Sequence, residues 1–204
     1  ETHARELAER SGRAYVSPYD DEAVIAGQGT IGIEIMDQVA ELGWPGVDAI
    51  VVATGGGGMI SGIATAVAGR ARIVGAQPEN DAVMTRSVAA GHVVAIDARP
   101  TLSDGTAGGV DPDTITFASC RELVDEWITV SEAEIGAGVR HMIDHHSTLV
   151  EGASGVALAA AARLVSRRPV ARIVVVSCGA NISSTTLTRA LDLATGPLAT
   201  GGGQ

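Results

Sequence analysis

Apolar positions recur along the chain in two rhythms, short unbroken runs and stripes spaced at three to four residues. The first rhythm marks Asp48–Ala53, Arg72–Ala76, Trp127–Val130 and Arg172–Ser177. These runs are rich in Val, Ile and Ala and carry charge only at their ends, as do strands covered on both faces of a parallel sheet. The second rhythm predicts helices over Thr2–Arg10, from Gly27 to Leu42 (stripe Ile31, Ile35, Val39, Leu42, with Gly43 as stop), Met59–Ala68, Asn80–Val88, Thr114–Asp125, Ser131–His145, Glu151–Arg167 and from Ser183 or Ser184 to Leu193. Ser131 and Glu134 have capping-box spacing, and Asn80 is placed to cap the helix it opens. Ala14–Val16 reads as a further short strand. Ser17–Asp21 reads as a turn followed by a short helix from Asp21, Gln77–Asn80 as a turn, and His92–Pro100 as irregular. Strands alternating with helices predict an α/β fold with a mostly parallel, doubly wound sheet between two helical layers.

Two strands run directly into polar turns. Ala49–Ala53 leads to Gly55, Gly56, Gly57 and Gly58, and the next helix begins at Met59. Four residues without Cβ allow backbone N–H groups to turn inward together, and the helix start adds its own N–H groups and positive dipole end. The pattern suits a phosphate cradle; a plain tight turn is the alternative. It is not a Walker loop, because no Lys-Ser/Thr follows, and it fits GxGxxG poorly, with Gln77 where a ribose-binding acid would stand. The strand Arg172–Ser177 ends in Cys178–Gly179–Ala180–Asn181. Ligands of open parallel sheets sit at the carboxyl ends of the strands, so the two turns can face one ligand.

Composition narrows the chemistry. The chain has 204 residues and a net charge of −10, which speaks against nucleic acid or anionic membrane as partners. No apolar run is long enough to span a bilayer. Cys120 and Cys178 have no metal-type spacing and suit a reducing cytoplasm. All 14 basic residues are arginine, so a mechanism that needs an amine nucleophile or base takes it from outside these residues. His141 and His145 are four apart on one helix, but HExxH is missing and no third ligand is evident. A polar helix face or subunit contact is the reading the pattern favours over zinc there.

Four segments resemble the fold-type II pyridoxal-phosphate (PLP) enzymes, the group of threonine/serine dehydratases and serine racemase. Gly27–Gln28–Gly29–Thr30–Ile31 resembles their GQGT segment, and Gly55 to Gly62 their GGGGLxxG phosphate loop. Ser103–Asp104–Gly105 resembles their (A/S)DG turn, and Cys178–Gly179–Ala180–Asn181 their (S/C)GGN turn. The resemblance implies an incomplete three-layer fold like that of the tryptophan synthase β-subunit. Residues 1–26 would be the return from the smaller domain, 27–194 the phosphate-binding domain and 195–204 a flexible tail. It implies PLP as cofactor, with its phosphate on Gly55, Gly56, Gly57, Gly58 and Met59, Gly105 along its face, Glu151 near its ring and Cys178 beside the pyridine nitrogen. Gly152 replaces the proline that follows the family's glutamate, so Glu151 can equally be a capping carboxylate, and the alternative reading of Cys178 is a small buried apolar residue. The carboxylates of the racemase metal site align with Gln77, Asp81 and Val83, which implies no such metal.

The family's lysine that holds PLP, and its Ser-x-Gly-Asn-His segment, have no counterpart in this sequence. No catalytic residue is therefore expected in this chain itself. The activity implied is β-elimination from a small hydroxy amino acid to a 2-oxo acid and ammonia, with the lysine supplied by an N-terminal part or a partner chain, in a homo-oligomer. A racemase or β-replacement synthase of the same fold, and a lysine-free binding or regulatory subunit, are the alternatives.

Overall fold

The computed structural model describes residues 2–198, with the side chain of Thr2 left aside. Four parallel strands form the sheet: β1 (Ala49–Ala53), β2 (Arg72–Pro78), β3 (Glu126–Val130) and β4 (Ile173–Val175), in the order β3-β2-β1-β4. β1 is central, pairing Val51 with Val74 on one side and with Val175 on the other. Its side chains alternate between two separate apolar cores, as strand geometry requires. Ile50 and Val52 face α2 (Glu22–Glu41) and α3 (Gly58–Val67) through Val39, Ile60, Ile63 and Val67. Ala49 and Val51 face α6 (Glu132–His146), α7 (Gly152–Arg167) and α8 (Ser184–Leu193) through Ile135, Val156, Ala160 and Ala190. This is the expected three-layer α/β arrangement. The remaining helices are α1 (Thr2–Ser11), α4 (Val83–Ala90) and α5 (Thr116–Leu123), with a short 3-10 turn at Asp104–Thr106.

Several local expectations are corrected. Ala14–Val16 is not a strand: no sheet edge lies beside it to complete a ladder, and Val16 is exposed. The two helices expected from Asp21 and Gly27 are one. Asp21 caps α2, its Oδ1 accepting from the N–H groups of Ala23 and Val24 at 2.8 and 3.0 Å, and the helix continues without a break across residues 26 and 27. Gln77 and Pro78 belong to β2 rather than to a turn, paired with Thr129 and Val130. That extension moves the start of α4 beyond Asn80, which caps nothing and instead donates to the carbonyl of Pro100 at 2.8 Å. α5 begins at Thr116 and ends at Leu123, inside the expected Thr114–Asp125, and β4 keeps only three residues of its apolar run. The expected loose tail falls partly on residues 199–204, outside the described residues. Ahead of them, Arg140 donates to the carbonyls of Ala194 and Gly196, and Leu198 packs against a core.

The capping box is present and reaches further than its own helix. Glu134 Oε2 accepts from the Ser131 N–H at 2.8 Å, and both of its oxygens accept from Arg163 of α7 at 2.5 and 2.6 Å. Arg163 also donates to the Thr129 carbonyl in β3 at 2.5 Å. Burial opposes the Glu134 charge, but the hydrogen bonds from Arg163 and Ser131 outweigh it and hold the carboxyl below its ordinary 4.5. A depressed folded value stabilises the protein above the unfolded one, and that stability is lost as pH falls through the folded value. Arg163→Met should therefore cost about 2 kcal/mol at pH 7. It should also flatten the decline of stability below pH 4.5, as read by urea melts across that range.

Candidate functional site

The carboxyl ends of β1 and β4 open into one cleft of ≈ 260 Å³, near the lower end of ligand sites. Its floor is the loop that leaves β1. Gly57 has φ +91, a left-handed conformation that favours glycine, and the carbonyl of Gly57 accepts the first bond of α3, from Ser61 N at 3.0 Å. The N–H groups of the first turn of α3 have no partner within the helix. The loop has no room for side chains. A Cβ on Gly56 would come within 2.3 Å of the Tyr19 ring, one on Gly58 within 2.8 Å of Tyr19 Cα, and one on Gly55 within 3.2 Å of Thr106. Thr116 Oγ1 donates to the Gly56 carbonyl at 2.6 Å, fixing the loop from below.

The walls come from distant segments. Gly105 lies in the 3-10 turn, where its missing Cβ would stand 3.2 Å from Glu151 Oε1. Glu151 occupies the position before α7 but makes no side-chain capping bond, which removes the capping alternative. Its carboxylate turns instead toward the Cys178–Asn181 turn. Oε2 accepts from Asn181 N at 3.2 Å, and a Cβ on Gly179 would fall 2.2 Å from Glu151 Cδ. The main chain closes the same junction, with Glu151 N donating to the Gly179 carbonyl at 3.0 Å. Cys178 is exposed to this cleft rather than buried as a small apolar residue. The surrounding walls and then the Glu151 carboxylate push its thiol above the ordinary value, so it is neutral near pH 7.

All eight residues singled out in the sequence, from Gly55 to Gly58 with Met59, Gly105, Glu151 and Cys178, line this one cleft. Sequence reasoning missed Tyr19, Thr106 and Thr116. Pro18–Tyr19–Asp20 read as a turn, and nothing in its local pattern announces a ring seated on a loop nearly forty residues away. Gln77 is wholly buried and spent on structure: its Oε1 accepts from Thr85 N at 2.7 Å, and its Nε2 donates to the Thr54 carbonyl at 3.1 Å. His141 and His145 stack with ring centroids 4.4 Å apart, and His145 Nδ1 lies 3.2 Å from the His141 carbonyl. Among the described residues no three His, Cys, Asp or Glu side chains are grouped to hold a metal ion.

The cleft suits a flat phosphorylated ring. A side-chain-free loop at a helix start offers N–H donors to the phosphate. Gly105 and Gly179 leave room for the Glu151 carboxylate, which lines the same cleft as the neutral Cys178 thiol.

Comparison with known proteins agrees with this geometry. The profile of the family described as "Pyridoxal-phosphate dependent enzyme" matches residues 1–179. Threonine dehydratase 2, biosynthetic and chloroplastic, of Solanum lycopersicum is 36% identical over 199 residues, covering 95% of this chain and 32% of that protein. L-threonine ammonia-lyase of Thermotoga maritima is 33% identical over 192 residues, covering 93% of this chain and 46% of that protein. The processed form of threonine deaminase isoform 2 from S. lycopersicum superposes with a TM-score of 0.84 at 35% identity, covering 96% of this chain and 57% of that one. Maize serine racemase superposes with a TM-score of 0.80 at 27% identity, covering 94% and 58%. The chain thus spans about a third to a half of the curated relatives it matches.

Proposed function

The chain belongs to the pyridoxal-phosphate dependent enzyme family, and from that premise we propose that it forms the cofactor-holding part of an ammonia-lyase. The substrate class is a small β-hydroxy amino acid, threonine or serine, which leaves as a 2-oxo acid and ammonia. The observation that carries this reading is the meeting of the glycine loop, Gly105, Glu151 and the neutral Cys178 thiol in one cleft.

PLP, when bound, supplies an electron sink conjugated to the substrate's α-carbon. The N–H groups of Gly55 to Met59 would hold the phosphate at the positive end of α3. Gly105 would let the cofactor face lie close to the 3-10 turn. Cys178 would stand beside the pyridine nitrogen and, being neutral, would not drive its protonation. That restrains the sink and favours reactions in which a β-leaving group accepts the electrons. Glu151, fixed by Asn181 N, would stand near the ring. The amine that would hold PLP and move the α-proton would have to come from a lysine outside these residues, which contain none.

Elimination is favoured over racemisation because the curated relatives above are a threonine dehydratase and a threonine ammonia-lyase, at 36% and 33% identity. Serine racemase is the more distant neighbour, at 27%. We further assign the protein to the cytoplasm as a homo-oligomer. Two free cysteines among the described residues support a reducing compartment.

The test uses the full-length protein purified with PLP. It should absorb visibly through its bound cofactor and release a 2-oxo acid and ammonia in equal amounts from L-threonine or L-serine. Release of D-serine instead would transfer the assignment to a racemase. No bound cofactor, with a separate lysine-bearing chain co-purifying, would make this a subunit of a composite site.

A further inference from the structure

Glycine loops are conformationally costly to order, because residues without Cβ lose the most freedom on folding. A loop of four glycines has no side chains of its own with which to set its shape. In this protein the shape comes from outside, and much of it from one residue of an irregular segment. Tyr19 lies between α1 and α2 and is 9% exposed. Its ring covers the loop at Gly56, and its backbone covers the loop at Gly58. The ring is anchored at its far end, where the Tyr19 hydroxyl accepts from Asp111 N at 3.3 Å. Its neighbours are tied to the same region: Asp20 Oδ1 accepts from Thr114 Oγ1 at 2.9 Å and from Ile115 N at 2.8 Å. The next residue, Thr116, opens α5 and donates to the Gly56 carbonyl, while Cys120 of the same helix sits under Gly57. The glycine loop is therefore clamped between Tyr19 on one side and α5 on the other, and the two jaws are bonded to each other.

We propose that Tyr19 is a positioning residue. It holds the glycine loop in the shape in which its N–H groups converge, and so sets how strongly the site prefers the phosphorylated cofactor over its unphosphorylated form. The inference rests on the phosphate-site reading above. A flat ring with two side-chain torsions suits this task, because it presents a rigid face at little cost in its own ordering. The other wall of the cleft is positioned by contacts of its own, Gly105 and Gly179 packing on the Glu151 carboxylate and Asn181 N donating to it. Binding of the ring should thus be separable from binding of the phosphate.

The measurement is equilibrium binding of PLP and of pyridoxal to the full-length apoprotein, in wild type, Tyr19→Ala, Tyr19→Leu and Tyr19→Phe. The alanine and leucine variants should lose tenfold or more in PLP affinity while pyridoxal affinity stays within about twofold, and Tyr19→Phe should restore most of the preference. Should the alanine variant fail to fold, the leucine variant, which keeps apolar bulk but not the flat face, decides on the same ratio. Equal losses for both ligands would reduce Tyr19 to a general structural residue and overturn the inference, as would an unchanged ratio. A wild-type protein with no preference for PLP over pyridoxal would instead sink the phosphate-site reading, and the inference with it.

Discussion

Gly62→Ala should destabilise the protein by about 3 kcal/mol and lower its melting temperature by roughly 6–12 °C. Gly62 lies within α3, where it is buried against α2. A Cβ there would stand 2.3 Å from the Ile25 carbonyl oxygen, 2.6 Å from Gly29 N and 3.0 Å from Gln28 C. All three are backbone atoms of a 20-residue helix, so no side chain can swing aside and the two helices must separate. Separation would open the core formed by Val39, Ile60, Ile63 and Val67. The partner surface is equally bare: a Cβ on Gly29 would lie 3.3 Å from the Gly62 carbonyl oxygen, and one on Gly32 lies 3.0 Å from that of Ile63. Gly27→Ala, two residues from Gly29, is the control. Gly27 is exposed on α2 with nothing within 4 Å of its missing Cβ. Alanine there should stabilise by up to about 1 kcal/mol through helix propensity. Opposite signs for Gly62→Ala and Gly27→Ala, read by thermal melts of both variants, test the close crossing directly. A Gly62→Ala protein that melts with wild type would refute it.

That crossing shows what the sequence could and could not convey. The apolar runs were sufficient to locate the four strands, because burial on both sheet faces is written into consecutive residues. Ser131 and Glu134 announced their helix start because a capping box is local. Gly27 to Thr30 read as a helix opening, since glycines ordinarily interrupt helices. Gly29 is used there for a crossing with Gly62, more than thirty residues away, whose own missing side chain lets α2 approach. Ala14–Val16 failed in the opposite direction. Its composition suits a strand, but a strand is made by a neighbour's ladder and none is present there. At the cleft, the glycines, Gly105 and Cys178 were legible because each sits in a short segment with its own pattern. Tyr19 and Thr116 were not, because their contribution is a contact made across the fold. The direction of the Glu151 carboxylate was also hidden, being set by the vacancy at Gly179 and the N–H of Asn181.

Gly57→Ala should reduce PLP affinity by about 100-fold, equivalent to about 2.7 kcal/mol. Two effects act at this position. The backbone has φ +91, where an L residue is disfavoured by roughly 1–2 kcal/mol. The added Cβ would also stand 2.8 Å from Cys120 Sγ and 3.1 Å from Thr116 Cβ. Neither neighbour can retreat. Cys120 is wholly buried, its thiol pushed up to about 12 by that burial, and Thr116 is tied to the Gly56 carbonyl. The loop itself must move, and its N–H groups would then lose the convergence that the proposed phosphate site needs. Charge-assisted hydrogen bonds of this kind each contribute about 1.5–3 kcal/mol, so misaligning one or two accounts for the expected loss. Cys120→Ala in the same protein removes the sulfur but not the backbone strain, so the double variant should recover only part of the affinity. Equilibrium PLP titration of the full-length single and double variants separates the two contributions. Full recovery would assign the effect to the clash alone. Wild-type PLP affinity in Gly57→Ala would mean that the phosphate is held somewhere other than this loop.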